Sequence, residues 1–212
     1  MKKLAYLEGL RGVAALVVVF HHLVLMFYPA LNFGEETNSI SKFFATTPLN
    51  IFYNGDFAVC LFFVLSGYVL SYKYILSNNP QVLVGYAIKR YFRLLPLIAA
   101  SIIFSVIFIR LNLIQTTELN TITKSGNWLL ELFECDTSFA AIVKNLFYGV
   151  LFLGENQYNP VVWSMKLEFI GSLLLFVFLL VGHKLKPKWI LFSITFIIAF
   201  YLGYYYYIAF LL

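Results

Sequence analysis

The chain has few charged residues and few cysteines. Only 12% of its 212 residues are Asp, Glu, Lys or Arg, whereas 61% are hydrophobic, and an ordinary soluble domain does not tolerate that balance. Its two cysteines, Cys60 and Cys135, cannot build a disulfide framework. These shortages exclude a soluble enzyme and a small disulfide-stabilised domain. The net charge of +5 therefore has to be interpreted from the positions of the basic residues in the loops. We expect no nucleic acid as a partner.

Long apolar runs fill most of the sequence. A run of about 20 apolar residues is long enough to cross a bilayer as a helix. We predict about five spans, over residues 10–29, 56–76, 94–113, 160–182 and 189–212. The apolar stretch 141–153 is too short to cross and contains Lys144, so we expect an interfacial or re-entrant segment there. The expected fold class is all-α, a polytopic transmembrane helix bundle embedded in a lipid bilayer.

The basic residues indicate the orientation of the spans. With a cytoplasmic N-terminus, the inner segments hold Lys2, Lys3, Arg11, Lys73, Lys89, Arg90, Arg93, Lys184, Lys186 and Lys188. The outer segments then hold Lys42, Arg110, Lys124 and Lys144. This bias is the one that the positive-inside rule describes. We therefore expect a multi-pass protein whose N-terminus faces the cytoplasm.

The first predicted span carries Arg11 and two histidines, His21 and His22. His22 comes eleven positions after Arg11, which is about 1100° of helical rotation and about 16 Å of rise. The two side chains therefore share one helix face, with His22 near the middle of the bilayer. Ionisable groups inside a membrane are functional candidates by default. Helix packing is the competing explanation for the histidines. No metal site is expected, because no second span supplies enough metal ligands.

Two further spans carry polar groups at a similar depth. Ser66 lies about 15 Å along its helix from Asp56, and Glu168 lies about 12 Å from Pro160. We therefore expect Ser66, Glu168 and His22 to lie at one level. Ser66 and Gly67 are also a pair that permits close helix packing, whereas a carboxylate such as Glu168 rarely sits in an apolar span without a partner.

A cationic patch is predicted at the cytoplasmic end of the third span. Arg90 and Arg93 are spaced i, i+3 and so are expected on one face; Lys89 adds charge, and Pro96 suits a first helical turn. Together with Arg11, these residues would suit a phosphorylated ligand. Anchoring to lipid headgroups is the alternative for the patch, and Arg11 alone could be a charge that reaches back to the interface.

Five short motifs occur in a fixed order along the chain. Residues 10–15 read LRGVAA, and ten residues separate Arg11 from His22. Residues 62–68 read FFVLSGY, residues 90–96 read RYFRLLP, and residues 163–168 read WSMKLE. In this order they resemble the signatures of the membrane-bound acyltransferase-3 family, of the O-antigen and exopolysaccharide O-acetylase type. Cys60 and Tyr68 depart from that pattern, where many members carry an acidic residue and Phe.

The resemblance implies a membrane O-acyltransferase that acts on groups other than amino-acyl. Such an enzyme would move an acyl group, normally acetyl, from cytoplasmic acyl-CoA (acetyl-CoA) to a hydroxyl of a cell-surface or exported glycan, at a bacterial inner membrane. Arg11, Arg90 and Arg93 would then bind the CoA phosphates. His22 would be the base or would carry the acyl group, Glu168 would orient His22 or stabilise its imidazolium, and Ser66 would line the path or donate to an oxyanion.

The resemblance covers only the N-terminal half of the family. Its members usually have about ten spans, against about five here. We therefore expect residues 1–212 to form a single transmembrane acyltransferase-like domain that is truncated, with a missing C-terminal half or a second subunit as a partner. The alternatives are an inactive truncated acyltransferase and a non-enzymatic, proton-coupled transporter or exporter subunit. A transporter would use membrane His and Glu as a proton relay but would not need the cationic patch.

Overall fold

The computed structural model describes residues 5–33, 39–77, 79–124, 133, 135–184 and 188–211. Its α-helices are α1 Ala5–Phe27, α2 Pro29–Phe33, α3 Ser39–Thr46, α4 Gly55–Ser77, α5 Gln81–Arg110, α6 Thr116–Thr123, α7 Phe139–Lys144, α8 Trp163–Lys184, α9 Lys188–Tyr201 and α10 Tyr205–Ile208. Short 3₁₀ turns span Pro48–Phe52 and Pro160–Val162, and a π-helix spans Asn145–Leu153. No strand occurs in these ranges, which confirms the all-α prediction.

Four helices in the described ranges are long and apolar enough to cross a membrane. They are Ala5–Phe27, Gly55–Leu76, Gln81–Arg110 and Pro160–His183, and they correspond to the first four predicted spans. The chain is therefore a multi-pass helical membrane protein. The orientation of these spans stays a prediction, and Lys2, Lys3 and Lys186, on which it partly depends, lie outside the described residues.

The fifth predicted span, residues 189–212, is wrong as a single helix. Helix α9 ends at Tyr201, and the chain then turns through Gly203, whose φ of 74° is in the left-handed region. Glycine adopts that conformation without the steric cost that a Cβ brings. The remaining residues form the short helix α10 and fold back onto other helices. Composition alone marked this segment as apolar but did not reveal the turn.

The third predicted span begins earlier than its sequence suggests. Helix α5 starts at Gln81 rather than near Leu94, so Pro96 lies inside the helix and not in its first turn. In the sequence, the basic residues before Leu94 suggest a boundary between loop and membrane. Arg90 instead lies buried within the helix, because Glu168 neutralises its charge.

The described residues pack as two compact units. The first unit contains Met1–Phe62 and Asn112–Glu134, and the second contains Phe63–Leu111 and Cys135–Leu212. In the first unit, α1 packs against α2 and against the 3₁₀ turn Pro48–Phe52, and α3 packs against both of these short elements. Helix α1 itself buries only Leu7 and Ala14 within the described residues, so most of its apolar surface is available to lipid.

The larger of two core clusters in the second unit is built on one stripe of α5. Its buried members recur at every fourth residue, which places them on one helix face: Leu94, Ile98, Ile102 and Val106. They pack against Val150 and Leu151 of the π-helix and against Tyr158, Val162 and Phe169. The spacing of apolar residues along α5 thus selects the face that holds this unit together.

The short segment between α5 and α8, which was predicted to be interfacial or re-entrant, doubles back on itself. It begins near the end of α5, where Arg110 donates to the Thr137 carbonyl at 2.5 Å. It then runs beside α5 until the Tyr91 hydroxyl donates to the Phe147 carbonyl at 2.8 Å. The chain returns so that the Tyr158 hydroxyl donates to the Asp136 carbonyl. Both ends therefore lie on the same side, as a re-entrant segment requires.

Candidate functional site

Three spans of the second unit bring a buried polar cluster together. It consists of Ser66 on α4, Arg90 on α5 and Glu168 on α8, and we call it the carboxylate cluster. Arg90 donates through Nη2 to Oε1 of Glu168 in an ion pair. Ser66 Oγ donates to the same oxygen at 2.6 Å. Ser66 and Arg90 are each 6% exposed, so these contacts form away from solvent.

Glu168 is the centre of this cluster. Burying an ionised carboxylate costs several kcal/mol, which a cationic partner and hydrogen bonds offset only when the geometry is good. Its second oxygen, Oε2, is buried and accepts no hydrogen bond from the described part of the chain. A carboxylate offers about four lone-pair sites. Glu168 therefore keeps the capacity to accept from one more donor.

Two glycines beside the cluster make room for Phe210. A Cβ on Gly67 would collide with the backbone carbonyl of Phe210, and a Cβ on Gly171 would collide with its ring. Phe63 stacks on the same ring, with 4.9 Å between the ring centroids. The residues after α9 therefore pack against α4 and α8. This packing is the physical reason that the segment bends instead of continuing as a span.

The basic residues of α5 lie in two different environments. Arg90 is buried against Glu168, whereas Lys89 and Arg93 are exposed. The i, i+3 spacing of Arg90 and Arg93 therefore does not place them in one patch. Arg90 has its charge compensated inside the unit, while Lys89 and Arg93 leave accessible positive charge at the surface of α5.

In the first unit, Arg11 and His22 are both half-buried residues of α1. Arg11 lies 3.5 Å from the carboxylate of Glu8, one turn earlier. His22 contacts the backbone carbonyl of Val18 through Nδ1 at 2.8 Å. Since a carbonyl only accepts, Nδ1 must carry the proton in this contact. A neutral His22 then has its lone pair on Nε2.

His21 is held by a more distant part of the chain. Its Nδ1 contacts the Tyr53 carbonyl at 3.0 Å, so this imidazole is fixed in the same tautomer. Gly55 lies against the ring, where an added Cβ would be 2.5 Å from Cδ2. Burial raises the pKa of the Tyr53 phenol, so it stays protonated and donates to the Leu31 carbonyl at 3.2 Å.

A polar cavity opens beside His21. Its volume is about 170 Å³, and its lining residues are His21, Asn32, Ala45, Asn50, Tyr53, Asn54 and Asp56. We call it the asparagine cavity. Within the described ranges, no three His, Cys, Asp or Glu side chains come together as a metal site would require, and the cavity chemistry is that of amides, an imidazole and a carboxylate.

Comparison with known protein families shows which family this chain belongs to. The model of the acyltransferase-3 family, described as an acyltransferase domain, matches residues 4–211. The chain belongs to this family. The match covers both compact units, so the carboxylate cluster, the histidines of α1 and the asparagine cavity all lie inside the acyltransferase domain.

Two curated relatives match this acyltransferase-3 chain over most of its length. One is "O-acetyltransferase PaAT-1" from Phomopsis amygdali, 25% identical over 209 residues, which covers 87% of this chain and 41% of the relative. The other is "Acyltransferase R4" from Phoma sp. (strain ATCC 20986 / MF5453), 24% identical over 226 residues, covering 82% and 48%. The chain thus spans less than half the length of either relative. No solved structure matches it at a significant level.

The structure groups part of the predicted site and adds residues that were missed. Ser66, Arg90 and Glu168 meet in the second unit, while Arg11 and His22 belong to the first, and Arg93 lies on the exposed face of α5. Their catalytic and CoA-binding roles stay predictions. The sequence analysis missed the asparagines of the cavity, Asn32, Asn50 and Asn54. The available signal was their grouping in the segment between the first two spans of an otherwise apolar chain.

Proposed function

We propose that this acyltransferase-3 protein transfers an acyl group, and specifically acetyl, from acyl-CoA to a hydroxyl of a glycan. The observation that carries the proposal is the hydrogen bond between His22 Nδ1 and the Val18 carbonyl. It leaves Nε2 with a lone pair, which a base for acyl transfer needs. Family membership and a relative whose name says O-acetyltransferase support the same reaction.

In the proposed reaction, His22 Nε2 removes the proton of the acceptor hydroxyl as the hydroxyl oxygen attacks the thioester carbon. The new C–O bond forms, the C–S bond breaks, and the CoA thiolate takes the proton back from the imidazolium. No oxidant, metal or further reactant is needed for this balance. His22 therefore returns to its neutral form at the end of each transfer.

The donor would be held by positive charge. Arg11 and Arg93 remain our candidates for the CoA phosphates, because guanidinium groups bind phosphate in a bidentate geometry. The exposed Lys89 adds charge beside Arg93. Arg90 is the least suited of the predicted arginines to bind the donor directly, because phosphate would have to compete with Glu168 for it.

The carboxylate cluster would serve the substrate indirectly. Ser66 donates a hydrogen bond to Glu168. Its proposed role is therefore to orient that carboxylate and not to stabilise an oxyanion itself. Arg90 would balance the charge of that carboxylate inside the unit.

The location proposed for this reaction is a bacterial inner membrane, with the N-terminus in the cytoplasm. The support for this orientation is the bias of basic residues towards the inner segments. In that orientation the N-terminal ends of α1 and α5, with Arg11 and Arg93, face the compartment that contains acyl-CoA. The opposite end of α1 faces the exported acceptor.

Labelled acetyl-CoA and membrane vesicles of both orientations test this function. Vesicles containing the 212-residue chain are given acetyl-CoA labelled in its acetyl group, which does not cross the membrane, and alkali-labile label in the glycan fraction is measured. We expect transfer when the cytoplasmic face is outward, and at least a ~10²-fold lower rate for His22→Ala.

Two controls make the outcome decisive. Asn79→Ala changes an exposed residue outside the site and should transfer like the unchanged chain. Vesicles without the chain set the background. Label no higher than that background, with the chain present in the membrane, would overturn the proposed function for this chain. Transfer from the opposite face alone would overturn the orientation.

A further inference from the structure

We propose that the asparagine cavity binds a sugar ring or a polyol and is the acceptor subsite; the second part of this inference rests on the proposed acyl transfer. The cavity lies entirely within the first unit, between α1 and the turn that leads into α4. Polar side chains from three stretches of chain converge on it. In a protein that is 61% hydrophobic, such a concentration of neutral polar groups in one cavity needs an explanation.

Two asparagines of the cavity, Asn50 and Asn54, are partly committed to backbone contacts. Asn50 Nδ2 donates to the Ala45 carbonyl at 3.1 Å, and Asn54 Oδ1 accepts from the Phe57 amide at 2.9 Å. These bonds fix how each amide is oriented. They leave Asn50 Oδ1 as an acceptor and Asn54 Nδ2 as a donor. A hydroxyl both donates and accepts, so neighbouring hydroxyls of a sugar match this pair.

His21 supplies a further acceptor to the cavity. Its contact with the Tyr53 carbonyl leaves the lone pair on Nε2. Gly55 allows the ring to lie close to the start of α4, because any Cβ there would displace it. The imidazole is therefore positioned from both sides before a ligand arrives, which lowers the entropic cost of binding.

The charge and size of the cavity define the ligand further. The lining residues contain no Lys or Arg but include the acidic Asp56, so a phosphorylated or acidic ligand is disfavoured. A volume of about 170 Å³ corresponds to five or six waters at ~30 Å³ each. This space suits one small hydroxylated group rather than a long acyl chain or a whole CoA.

Direct binding of small hydroxylated probes tests this site without acyl transfer. The 212-residue chain is placed in phosphatidylcholine nanodiscs prepared without glycoside detergents, and saturation-transfer NMR is recorded with methyl β-glucopyranoside and with glycerol. We expect binding in the range of about 1–10 mM. Stronger binding of the glucoside identifies a sugar ring as the occupant, and stronger binding of glycerol identifies an open polyol.

Four variants locate the binding. His21→Ala and Asn32→Ala should each weaken it about tenfold, the loss expected for about one hydrogen bond. Asn32 makes no side-chain hydrogen bond within the described residues, so its truncation should leave the fold intact. His22→Ala and Asn79→Ala should bind like the unchanged chain, because neither residue lines the cavity.

The outcomes separate this inference from the proposed function. If the unchanged chain binds neither probe, or if His21→Ala and Asn32→Ala bind normally, the cavity is a water-filled part of the fold and the inference is wrong. Acetyl transfer without probe binding would overturn the inference alone. Probe binding without acetyl transfer would overturn the proposed function and its acceptor subsite, while the sugar site would stand.

Discussion

The asparagine cavity and the carboxylate cluster use polar residues in opposite ways. In the cavity, His21, Asn50 and Asn54 bind backbone groups and keep their second polar atom for a ligand. In the cluster, Arg90 and Ser66 both donate to Glu168, from which they are 78 and 102 positions away in the sequence. The first region is arranged for recognition by neutral groups, and the second holds charge that the fold itself must neutralise.

The largest effect is expected when one charge of the cluster is removed. Arg90→Met leaves Glu168 buried without its cation, and Glu168→Gln leaves Arg90 without its anion. Each change should lower the free energy of unfolding by about 3–5 kcal/mol. The double variant, which removes both charges, should lose less than either single variant. Unfolding of the chain in nanodiscs, followed by intrinsic fluorescence, measures these differences.

Arg93→Met is the matched control for that prediction. Arg93 lies on the same helix but is exposed, so its loss should change the stability by no more than about 0.5 kcal/mol. If Arg90→Met is as mild as Arg93→Met, the ion pair contributes nothing to the fold. The contrast between the two regions would then disappear.

A smaller effect is expected from glycines that make close contacts. Gly67→Ala forces a Cβ against the backbone carbonyl of Phe210. Because this backbone can move only together with its whole segment, we expect the free energy of unfolding to fall by about 1–3 kcal/mol. Gly55→Ala instead meets the side chain of His21, which can rotate. That variant should keep more of its stability but lose glycoside binding.

Gly85→Ala provides the control for both glycine variants. Gly85 is also helical, and an added Cβ there has no neighbour within 4 Å. Alanine is the better helix former, so the stability should rise or stay unchanged. A Gly67→Ala variant that is as stable as Gly85→Ala would contradict the packing of Phe210 at this position.

Much of the fold follows from the sequence because apolar length and residue spacing are local properties. The first four spans and the re-entrant segment could be predicted in this way. The start of α5 could not, since Lys89, Arg90 and Arg93 suggest a loop. The burial of Arg90 inside the helix depends on Glu168, a residue far along the chain. The break after Tyr201 depends on Gly203 and on a docking position for Phe210.

The candidate site was predictable to a similar degree. Glu168 was expected to need a partner, but the sequence could not tell that Arg90, and not Arg93, would be that partner. The motif spacing selected His22 over His21. Nothing local indicates that His21 would meet Tyr53 and Gly55, because that contact depends on how the segment after α3 folds back onto α1.

The kinetics of the two neighbouring histidine variants test the central claim most directly. Acetyl transfer is measured as a function of acceptor concentration, with the better-binding probe as acceptor. We predict that His22→Ala lowers kcat by at least ~10²-fold and leaves the acceptor KM near its original value. His21→Ala should raise KM about tenfold and keep kcat. Near-normal transfer by His22→Ala, or an equal loss of kcat in both variants, would contradict the division of roles between base and acceptor site.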